Sequence, residues 1–528
     1  MRALVSWVGC ALVVLASACE PAEPIDRGQP VVHRAEQALR PTDVNSGLMW
    51  VFKNGETVEN YDPDGGRYRV HYTRMGVDAV PLADANDSGV PDFVEDVGDT
   101  YDSVGGLYHD TLLYRRPTSD QGIADNGGDG RFDVYLVDFG LSADGAFRVD
   151  QCPPSSPSKC IGYVVEENDF AGYGYPSLAI ANRILASHEY FHAVQAAYDD
   201  DQSVVVSEGT AVWATERYAP QTNDFEGFVH GYLERPDRSI DSPPPGPVPT
   251  FAYGSAIFFK FLSERHGDDV IRKLWEHLEN GQGDPTEPMD QTNPTFLIQL
   301  DAVLKRDYQT TFGEDFAQFA RWNLYTASAG DPDAGYAEGS KYPAVAMTLV
   351  TLPAPQENLR VFYASTQYFT APAGGRTRVT AALVDTVLTT TDDTQDLVLW
   401  LAARKGGKNT EVVKVTNRET VDISGGAVIV GVVNTRRGAV GAAQSQRPSL
   451  CIGTPDEVNA CVAALGGVVD AGVDAGLDAG AGDVDGGADG GTLEPPNPTG
   501  CGCGMTPVPL WFLAVIAGRL LLRRRTQG

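Results

Sequence analysis

Basic residues and histidines are scarce in this sequence of 528 residues. It contains 40 Lys and Arg against 71 Asp and Glu, which gives a formal net charge of −31 at pH 7, and only 8 His. Nucleic acid and anionic membrane surfaces would repel a chain of this charge, so nucleic acid is excluded as a partner. Because histidine is so rare, two histidines four residues apart with a glutamate between them indicate a function rather than chance.

The first 19 residues predict an export signal. Arg2 precedes an apolar stretch that ends at Leu15, and small residues follow before Cys19. The apolar stretch is too short for a transmembrane helix. Two processing routes remain open, namely cleavage by ordinary signal peptidase and acylation of Cys19 at a bacterial lipobox. Residues 1–19 are therefore expected to be a signal peptide, and residues 20–64 an N-terminal extension.

Four of the remaining cysteines form two close pairs in the sequence. Cys152 and Cys160 enclose one short loop, and Cys451 and Cys461 enclose another. Neither pair has the Cys-x-x-Cys spacing of a zinc site, so both are predicted to be disulfides formed in an oxidising compartment. This prediction agrees with export.

The C-terminal region predicts a tether followed by a sorting signal. Residues 463–498 are largely a near-repeat of Asp, Ala and Gly that cannot bury enough apolar surface to fold, so a disordered linker is expected. Residues 499–528 contain a Gly-Cys-Gly-Cys element, a short apolar helix and an arginine cluster, and they resemble the myxobacterial C-terminal sorting signal. The resemblance implies a sorting and processing enzyme as a partner. A plain membrane anchor is the alternative, although Arg519 shortens the apolar stretch below the usual span of about 20 residues.

An acidic loop near residue 90 resembles a calcium-binding EF-hand loop. Its oxygen-bearing residues stand at positions 1, 3, 5, 9 and 12 of that pattern and are Asp84, Asn86, Ser88, Asp92 and Glu95. Gly89 occupies the sixth position, where the loop turns sharply. Pro91 is atypical of an EF-hand, and an Asx-rich turn that opens a helix at Asp92 explains the same residues. Calcium is predicted as a second cofactor, with the turn as the alternative.

A second acidic run precedes a predicted strand over residues 132–137. Its aspartates, Asp125, Asp129 and Asp133, could form another oxygen cage for a cation. A glycine-rich turn that enters the strand explains these residues equally well.

The stretch ILASHEYFHAVQAAY, residues 184–198, carries the most specific motif of the chain. Its apolar residues recur with helical spacing, so a helix is predicted. On a helix, His188 and His192 lie about 40° apart around the axis and about 6 Å along it, so both imidazoles can reach one metal ion. Glu189 would face the same cavity as the general base for a water molecule. Zinc is therefore the predicted catalytic cofactor.

The third ligand decides the class of zinc enzyme. A metzincin would need glycine and histidine where this sequence has Gln195 and Tyr198, so that class is excluded. Glu208 is predicted to open a second helix and to complete a site of two histidines and one glutamate, with the fourth position open for water. Glu216, late in the same helix, is the rival ligand, and a solvated charge is expected there.

The motif Glu-Gly-x-Ala-x-Trp at residues 208–213 resembles that of the peptidase-MA-like gluzincins. More widely, roughly residues 65–330 resemble a myxobacterial zinc metalloprotease family of this kind, and residues 65–335 are the predicted catalytic domain. The resemblance implies a zincin-like catalytic domain with Glu208 as a zinc ligand. One departure stands out, because thermolysin-like enzymes orient a histidine with an aspartate four residues after the glutamate ligand, and this chain has Val212 there. Another group is expected to orient that histidine.

Two further residues and one segment are predicted to act on the substrate. Tyr253, expected at the start of a helix, and His230 are candidates to stabilise the oxyanion, with a core tyrosine and a surface histidine as the alternatives. Segment 170–182 is predicted to be the edge strand along which an extended peptide lies, or else a core strand.

After residue 340 the composition changes to short alternating runs rich in Val, Thr and Leu, which predict an all-β sandwich over residues 340–462. The predicted fold is an α+β zincin-like catalytic domain, then this sandwich, a disordered linker and a short C-terminal apolar helix. The predicted function is an exported, surface-displayed, zinc-dependent endopeptidase acting on protein or peptide substrates. It would contact the cell surface or outer membrane through the tail or a lipidated Cys19. The alternative is a catalytically silent, calcium-dependent surface adhesin or binding protein.

Overall fold

The computed structural model describes residues 39–153, 158–240, 248–279, 296–384, 397–437 and 445–466. The predicted signal peptide, Cys19, nearly all of the predicted linker and the whole C-terminal tail lie outside these residues. Across the ranges just given, no helix combines the length and apolar character needed to cross a membrane. The described chain is a mixed α+β fold.

The first sheet has five strands in the order β1-β2-β3-β5-β4. Its strands are β1 (Val58–Tyr61), β2 (Tyr68–Thr73), β3 (Phe132–Val137), β4 (Gly145–Gln151) and β5 (Ile161–Glu167). The three inner strands β2, β3 and β5 are parallel, whereas the edge strands β1 and β4 run antiparallel to their neighbours. The predictions of strands near residues 67–75 and over 132–137 are confirmed.

Helices cover one face of this sheet and continue beyond it. They are α1 (Asp92–Gly105), α2 (Leu178–Ala196), α3 (Val204–Tyr218), α4 (Phe225–Phe228), α5 (His230–Leu233), α6 (Val248–Gly254), α7 (Ala256–His266), α8 (Asp269–Leu278), α9 (Phe296–Val303) and α10 (Phe312–Trp322). Short π-helical turns follow α1 and α9, and 3₁₀ turns lie at Pro220–Thr222, Ala327–Ala329 and Gly339–Lys341. Alternate residues of the inner strands, such as Val70, Val134 and Val164, share one buried core with α1, α2 and the later helices.

The opposite face of the sheet is covered by the N-terminal extension. Trp50 and Phe52 pack against Tyr135, Tyr163 and the neighbouring residues of β3 and β5. Because both faces of the sheet are buried, its inner strands read as apolar runs rather than as an alternating pattern. The extension from residue 39 onward therefore belongs to the folded body.

The C-terminal part is built from strands on two facing sheets. Its elements are β6 (Thr348–Leu349), β7 (Val361–Phe362), β8 (Ser365–Pro372), β9 (Arg378–Val384), β10 (Leu397–Lys405), β11 (Lys408–Lys414), β12 (Val421–Asp422), β13 (Ala427–Asn434), β14 (Ser445–Gln446), β15 (Ser449–Gly453) and α11 (Pro455–Ala464). One sheet has the order β11-β10-β13-β8-β6 and the other β12-β9-β15, while β14 pairs with β7. Leu399 and Leu401 of one sheet share a core with Val379 and Ala381 of the other.

The outer face of the larger sheet packs against α10. The indole nitrogen of Trp400 donates a hydrogen bond to the Ala317 carbonyl oxygen at 2.9 Å. The Tyr368 hydroxyl donates to the Ala320 carbonyl oxygen at 2.7 Å. These bonds join buried polar groups of the strands to buried helix carbonyls, which fixes the contact between the two halves of the described chain.

Both predicted disulfides are present. Cys152 and Cys160 join the end of β4 to the start of β5, and Cys451 and Cys461 join β15 to α11. Each pair therefore closes a short loop between adjacent elements.

The prediction of a strand over residues 170–182 is wrong. That segment forms turns up to Ser177, and α2 begins at Leu178. Gly172 and Gly174 have φ values of +87° and +81°, which no extended strand can contain. The Ser177 hydroxyl then accepts a hydrogen bond from the Ile180 backbone N–H at 3.2 Å and caps the helix. The edge strand on this side of the sheet is β4.

Candidate metal centre

Two helices bring the predicted metal ligands together. His188 and His192 lie one turn apart on α2, and Glu208 lies in the second turn of α3, which begins at Val204 rather than at Glu208 as expected. The three side chains converge between the helices, and the His188 and His192 side chains are partly exposed, at 13% and 16%. Glu208 is only 5% exposed.

The three donor atoms have the spacing that a tetrahedral zinc ion requires. His188 Nε2 lies 3.2 Å from Glu208 Oε2 and 3.2 Å from His192 Nε2, and His192 Nε2 lies 3.5 Å from Glu208 Oε2. Two ligands bound to zinc at about 2.05 Å in tetrahedral geometry are about 3.3 Å apart. Among the residues that the structure describes, this is the one group of three or more His, Cys, Asp or Glu side chains drawn together closely enough to hold a metal. The residues present therefore fit a His₂Glu site.

The charges within this group show why it suits a cation. Burial alone would raise the pKa of Glu208, but His192 and His188 outweigh it and hold the pKa well below its usual value. Burial likewise lowers the pKa of His192, but Glu208 and Glu189 raise it to about 9. The buried Glu208 carboxylate therefore needs a positive charge beside it to stay ionised. A divalent cation would supply that charge in place of the protons on the two imidazoles.

Gln195 orients His192. The His192 Nδ1–H donates to Gln195 Oε1 at 2.8 Å, which leaves Nε2 as the donor atom towards a metal. The amide is itself fixed, because Gln195 Nε2 donates to the Ser207 carbonyl oxygen at 2.8 Å and to Thr210 Oγ1 at 3.0 Å. Val212, at the position of the orienting aspartate of thermolysin-like enzymes, is an ordinary core residue, 2% exposed. Gln195 therefore orients a histidine ligand in place of the aspartate that this sequence lacks at position 212.

Glu189 lies beside the metal ligands and is held by the edge strand. Its Oε2 accepts a hydrogen bond from the Phe147 backbone N–H of β4 at 2.8 Å. Burial raises the pKa of Glu189, and the two histidines act in the opposite direction. The close approach of β4 needs a glycine, because a Cβ at Gly145 would lie 3.0 Å from Glu189 Cγ. The carboxyl group is thus fixed between the metal ligands and the edge strand.

Tyr253 also lies at this centre, near the end of α6 rather than at the start of a helix as expected. Its ring centroid is 5.9 Å from that of His188, and its ring stacks on Phe228 at 5.2 Å. Its hydroxyl interacts with Glu208. Burial, then the charges of Glu208 and Glu189, raises the pKa of Tyr253 well above its usual value, so the hydroxyl keeps its proton and can donate.

His230 and Glu216 have partners of their own. His230 Nδ1 donates to the Gly227 carbonyl oxygen at 2.6 Å, so only Nε2 is free to act on a substrate. Glu216, the rival ligand, was expected to be solvated, but it is 4% exposed and accepts a hydrogen bond from Lys260 Nζ at 3.1 Å. This ion pair holds the Glu216 carboxylate apart from the His188, His192 and Glu208 group.

Asp144 is a residue that sequence reasoning missed. It directly precedes β4, and its Oδ2 accepts a hydrogen bond from the Tyr175 hydroxyl at 2.6 Å. Burial raises the pKa of Asp144, while the Tyr175 hydrogen bond and the charge of His188 act to lower it, so the carboxylate lies within electrostatic reach of His188. No motif surrounds this aspartate, and only the position of β4 brings it near the site.

The two acidic runs differ in their contacts. In the first loop, Asp84 accepts hydrogen bonds from the backbone N–H groups of Ser88 and Gly89, and Asn86 Nδ2 donates to Glu95 Oε2 at 2.9 Å. Asp92 begins α1 as the turn interpretation expected, and calcium binding by this loop stays a prediction.

In the second run, the aspartates bind groups of the protein itself. Asp129 pairs with Arg69 at 3.0 Å, and Asp133 Oδ1 lies 2.8 Å from His71 Nε2. These contacts hold Asp129 and Asp133 at the turn into β3, and cation binding by this run stays a prediction.

Comparisons with known proteins give little further guidance. No protein-family model matches the chain, and no curated protein matches it. Among solved structures, aminopeptidase A of Legionella pneumophila in complex with aspartic acid is similar at a TM-score of 0.30 and 12% identity. The similarity covers 70% of this chain and 36% of that chain, so this chain spans about a third of the aminopeptidase's length. A likeness of this size does not establish a shared fold.

Replacing Gln195 by Leu is expected to weaken zinc binding about 10- to 100-fold, because the orienting partner of His192 is lost. Affinity would be measured by competition with a chromophoric chelator. Gln299→Leu is the matched control, since Gln299 Oε1 accepts from His277 Nδ1 at 2.6 Å in another part of the chain. An unchanged zinc affinity in Gln195→Leu would show that the hydrogen bond does not support the site.

Proposed function

We propose that the protein is an exported, zinc-dependent endopeptidase of the gluzincin kind. Residues 65–335 would form a zincin-like catalytic domain, and residues 340–462 an accessory β-sandwich domain. The observation that carries the proposal is the His188, His192 and Glu208 donor group, with ligand atoms all within 4.8 Å of one another and Glu189 beside it.

The chain's own residues supply most of the reaction. A zinc ion in this site would act as a Lewis acid on the scissile carbonyl and acidify a water molecule. Glu189 is placed to take the proton of that water and to pass it to the leaving amine. Tyr253, whose hydroxyl keeps its proton, would turn that donor from Glu208 to the developing oxyanion. His230 remains the second candidate for that role.

The substrate would lie along β4. This strand is at the end of its sheet and, among the described strands, pairs with β5 alone, so the backbone groups of its other edge, apart from the Phe147 N–H, would be available to an extended peptide. Its Phe147 N–H already binds Glu189, which would place the scissile bond next to the general base. β4 thus takes the role that the sequence had suggested for residues 170–182.

Export is supported by the two disulfides, since such bonds persist in oxidising compartments. Together with the predicted signal peptide and sorting tail, they favour a protein displayed on the cell surface or outer membrane. A processing enzyme acting on the tail is then a partner, and the membrane is reached through the tail or a lipidated Cys19.

Metal removal tests the proposed function. Purified full-length protein is expected to hydrolyse a labelled, denatured protein substrate, to lose that activity on dialysis against a chelator, and to regain it with about one equivalent of zinc per chain. Magnesium added at the same concentration is expected to restore nothing, because nitrogen ligands favour zinc. Hydrolysis that persists in the chelator-treated protein would contradict the proposal.

A further inference from the structure

A cavity of about 240 Å³ lies on the far side of α2 from the metal ligands. Tyr190 contributes to its wall, and two residues along an α-helix correspond to about 200° around the axis from His188. The other walls come from the residues around the starts of β2, β3 and β5 and from the loop that contains Arg116. The cavity is therefore separate from the candidate active site, although both contact the same helix.

The inner wall of the cavity is aromatic. The Phe132 and Tyr190 ring centroids are 5.0 Å apart, and those of Tyr68 and Tyr190 are 5.4 Å apart, both edge to face. Tyr68 and Tyr190 are only 1% and 2% exposed, so each ring presents a small edge to the cavity, and the partly buried Phe132 ring is the more accessible part of this wall. Such a wall suits a ring or a branched alkyl group.

Three arginines and one carboxylate line the cavity, namely Arg67, Arg116, Arg131 and Asp120. Arg131 pairs with Asp62 and Asp129, and Asp120 pairs with Arg40, which leaves the charges of Arg67 and Arg116 at the mouth. Arg67 and Arg116 share one carboxylate, that of Asp110, at 3.6 Å and 2.9 Å. The longer distance exceeds a hydrogen bond, so the Arg67 guanidinium keeps its donors for another acceptor.

The size of the cavity limits what it can hold. Pockets for drug-sized ligands range from about 300 to 1,000 Å³, so a cavity of about 240 Å³ suits a smaller molecule. Arg67 and Arg116 share the single carboxylate of Asp110, so this group has one positive charge in excess. A planar guanidinium group matches the geometry of a carboxylate.

We propose that this cavity binds a small organic carboxylate, with the acid group at Arg67 and Arg116 and the apolar group against Tyr68 and Tyr190. The carboxylate could belong to a free small acid or to the C-terminus of a peptide. The site is independent of the proposed peptidase activity, so either proposal can fail alone.

Binding would be measured by isothermal titration of the full-length protein with benzoate, a free small acid, and with N-acetylphenylalanine, which imitates a peptide C-terminus. Benzamide and N-acetylphenylalanine amide are the uncharged probes of the same shape. We expect at least one acid to bind with a Kd of about 1 mM or tighter, which corresponds to about −4 kcal/mol, and each amide to bind at least about tenfold more weakly. The tighter of the two acids identifies the source of the carboxylate.

The double variant Arg67→Gln/Arg116→Gln is expected to weaken the binding of the acid at least about tenfold. Both side chains are over 40% exposed, at 49% and 43%, so the variant is expected to fold. Arg217→Gln is the matched control, because Arg217 is 40% exposed and pairs with Asp268 elsewhere.

Three results would overturn the proposal. They are the absence of binding by both acids at 10 times the expected Kd, equal binding of the acids and their amides, and binding that survives unchanged in the double variant. The last result would place the carboxylate elsewhere, for instance at the metal.

Discussion

Glu189→Gln is expected to lower kcat/KM for peptide hydrolysis by about 10³-fold while the protein keeps its zinc. Glutamine has nearly the size of glutamate, and its carbonyl oxygen can still accept the hydrogen bond from the Phe147 N–H, which is 2.8 Å long in the native site. It cannot accept a proton from water. The substitution therefore removes the proposed general base and leaves the helix and the edge strand in place.

Glu216→Gln is the matched control for this experiment. Glu216 is also a buried glutamate, but it belongs to the ion pair with Lys260 and is proposed to have no part in the reaction. Its substitution is expected to leave kcat/KM within about threefold, provided that circular dichroism shows a folded protein. If Glu189→Gln retained native activity, the general base would be misassigned even with zinc present.

Arg40→Met is expected to destabilise the fold by about 3–5 kcal/mol, because it leaves buried carboxylates without their counter-charge. The Arg40 Nη2 atom donates to Asp120 Oδ2 at 2.7 Å, Nη1 pairs with Asp150, and Asp133 lies 3.7 Å away. Arg40 is only 2% exposed, and its guanidinium also lies over the Tyr163 ring at 4.7 Å. A single arginine of the N-terminal extension thus supplies one positive charge to a buried cluster of three carboxylates.

The loss of stability is expected to depend on pH. Burial and Asp133 raise the pKa of Asp120 to about 7, and burial raises the pKa of Asp150 to about 6, in each case against the effect of Arg40. An acid whose pKa is higher in the folded protein than in the unfolded chain destabilises the fold as the pH rises through the folded pKa. Without Arg40 the pKa values of Asp120 and Asp150 rise further, so Arg40→Met should lower the free energy of unfolding more at pH 8 than at pH 5.

Urea denaturation at pH 5 and pH 8 measures both the size and the pH dependence of this effect. Arg217→Met is the control, because the exposed pair of Arg217 and Asp268, at 2.8 Å, contributes less than about 1 kcal/mol. If Arg40→Met lowers the free energy of unfolding at pH 8 no more than Arg217→Met does, the buried cluster does not depend on Arg40.

The parts of the site that could be predicted are those coded by local spacing. His188, Glu189 and His192 follow from helical periodicity, and the structure places them on one helix. Glu208 required a resemblance, because no local rule links it to residues twenty positions earlier. Gln195 and Asp144 were missed, since their roles depend on Ser207, Thr210 and the path of β4.

The errors in the predicted fold have similar causes. Residues 170–182 form a turn and a helix start in place of the predicted strand, because Gly172 and Gly174 have positive φ values and the Ser177 hydroxyl caps α2. The alternating runs after residue 340 were predicted correctly as strands, because one face of β10 packs against the second sheet and the other against α10. No sequence pattern indicates the Arg40 cluster, because its members are scattered between residues 40 and 150.

Metal content is the most direct test of the central claim. Elemental analysis would compare the wild-type full-length protein with Glu208→Gln and Glu216→Gln, purified without added metal. We expect about one zinc per chain in the wild type and in Glu216→Gln, and little or none in Glu208→Gln, because a neutral amide is a poor zinc ligand. A wild-type protein without zinc, or a Glu208→Gln variant that retains it fully, would contradict the His₂Glu site.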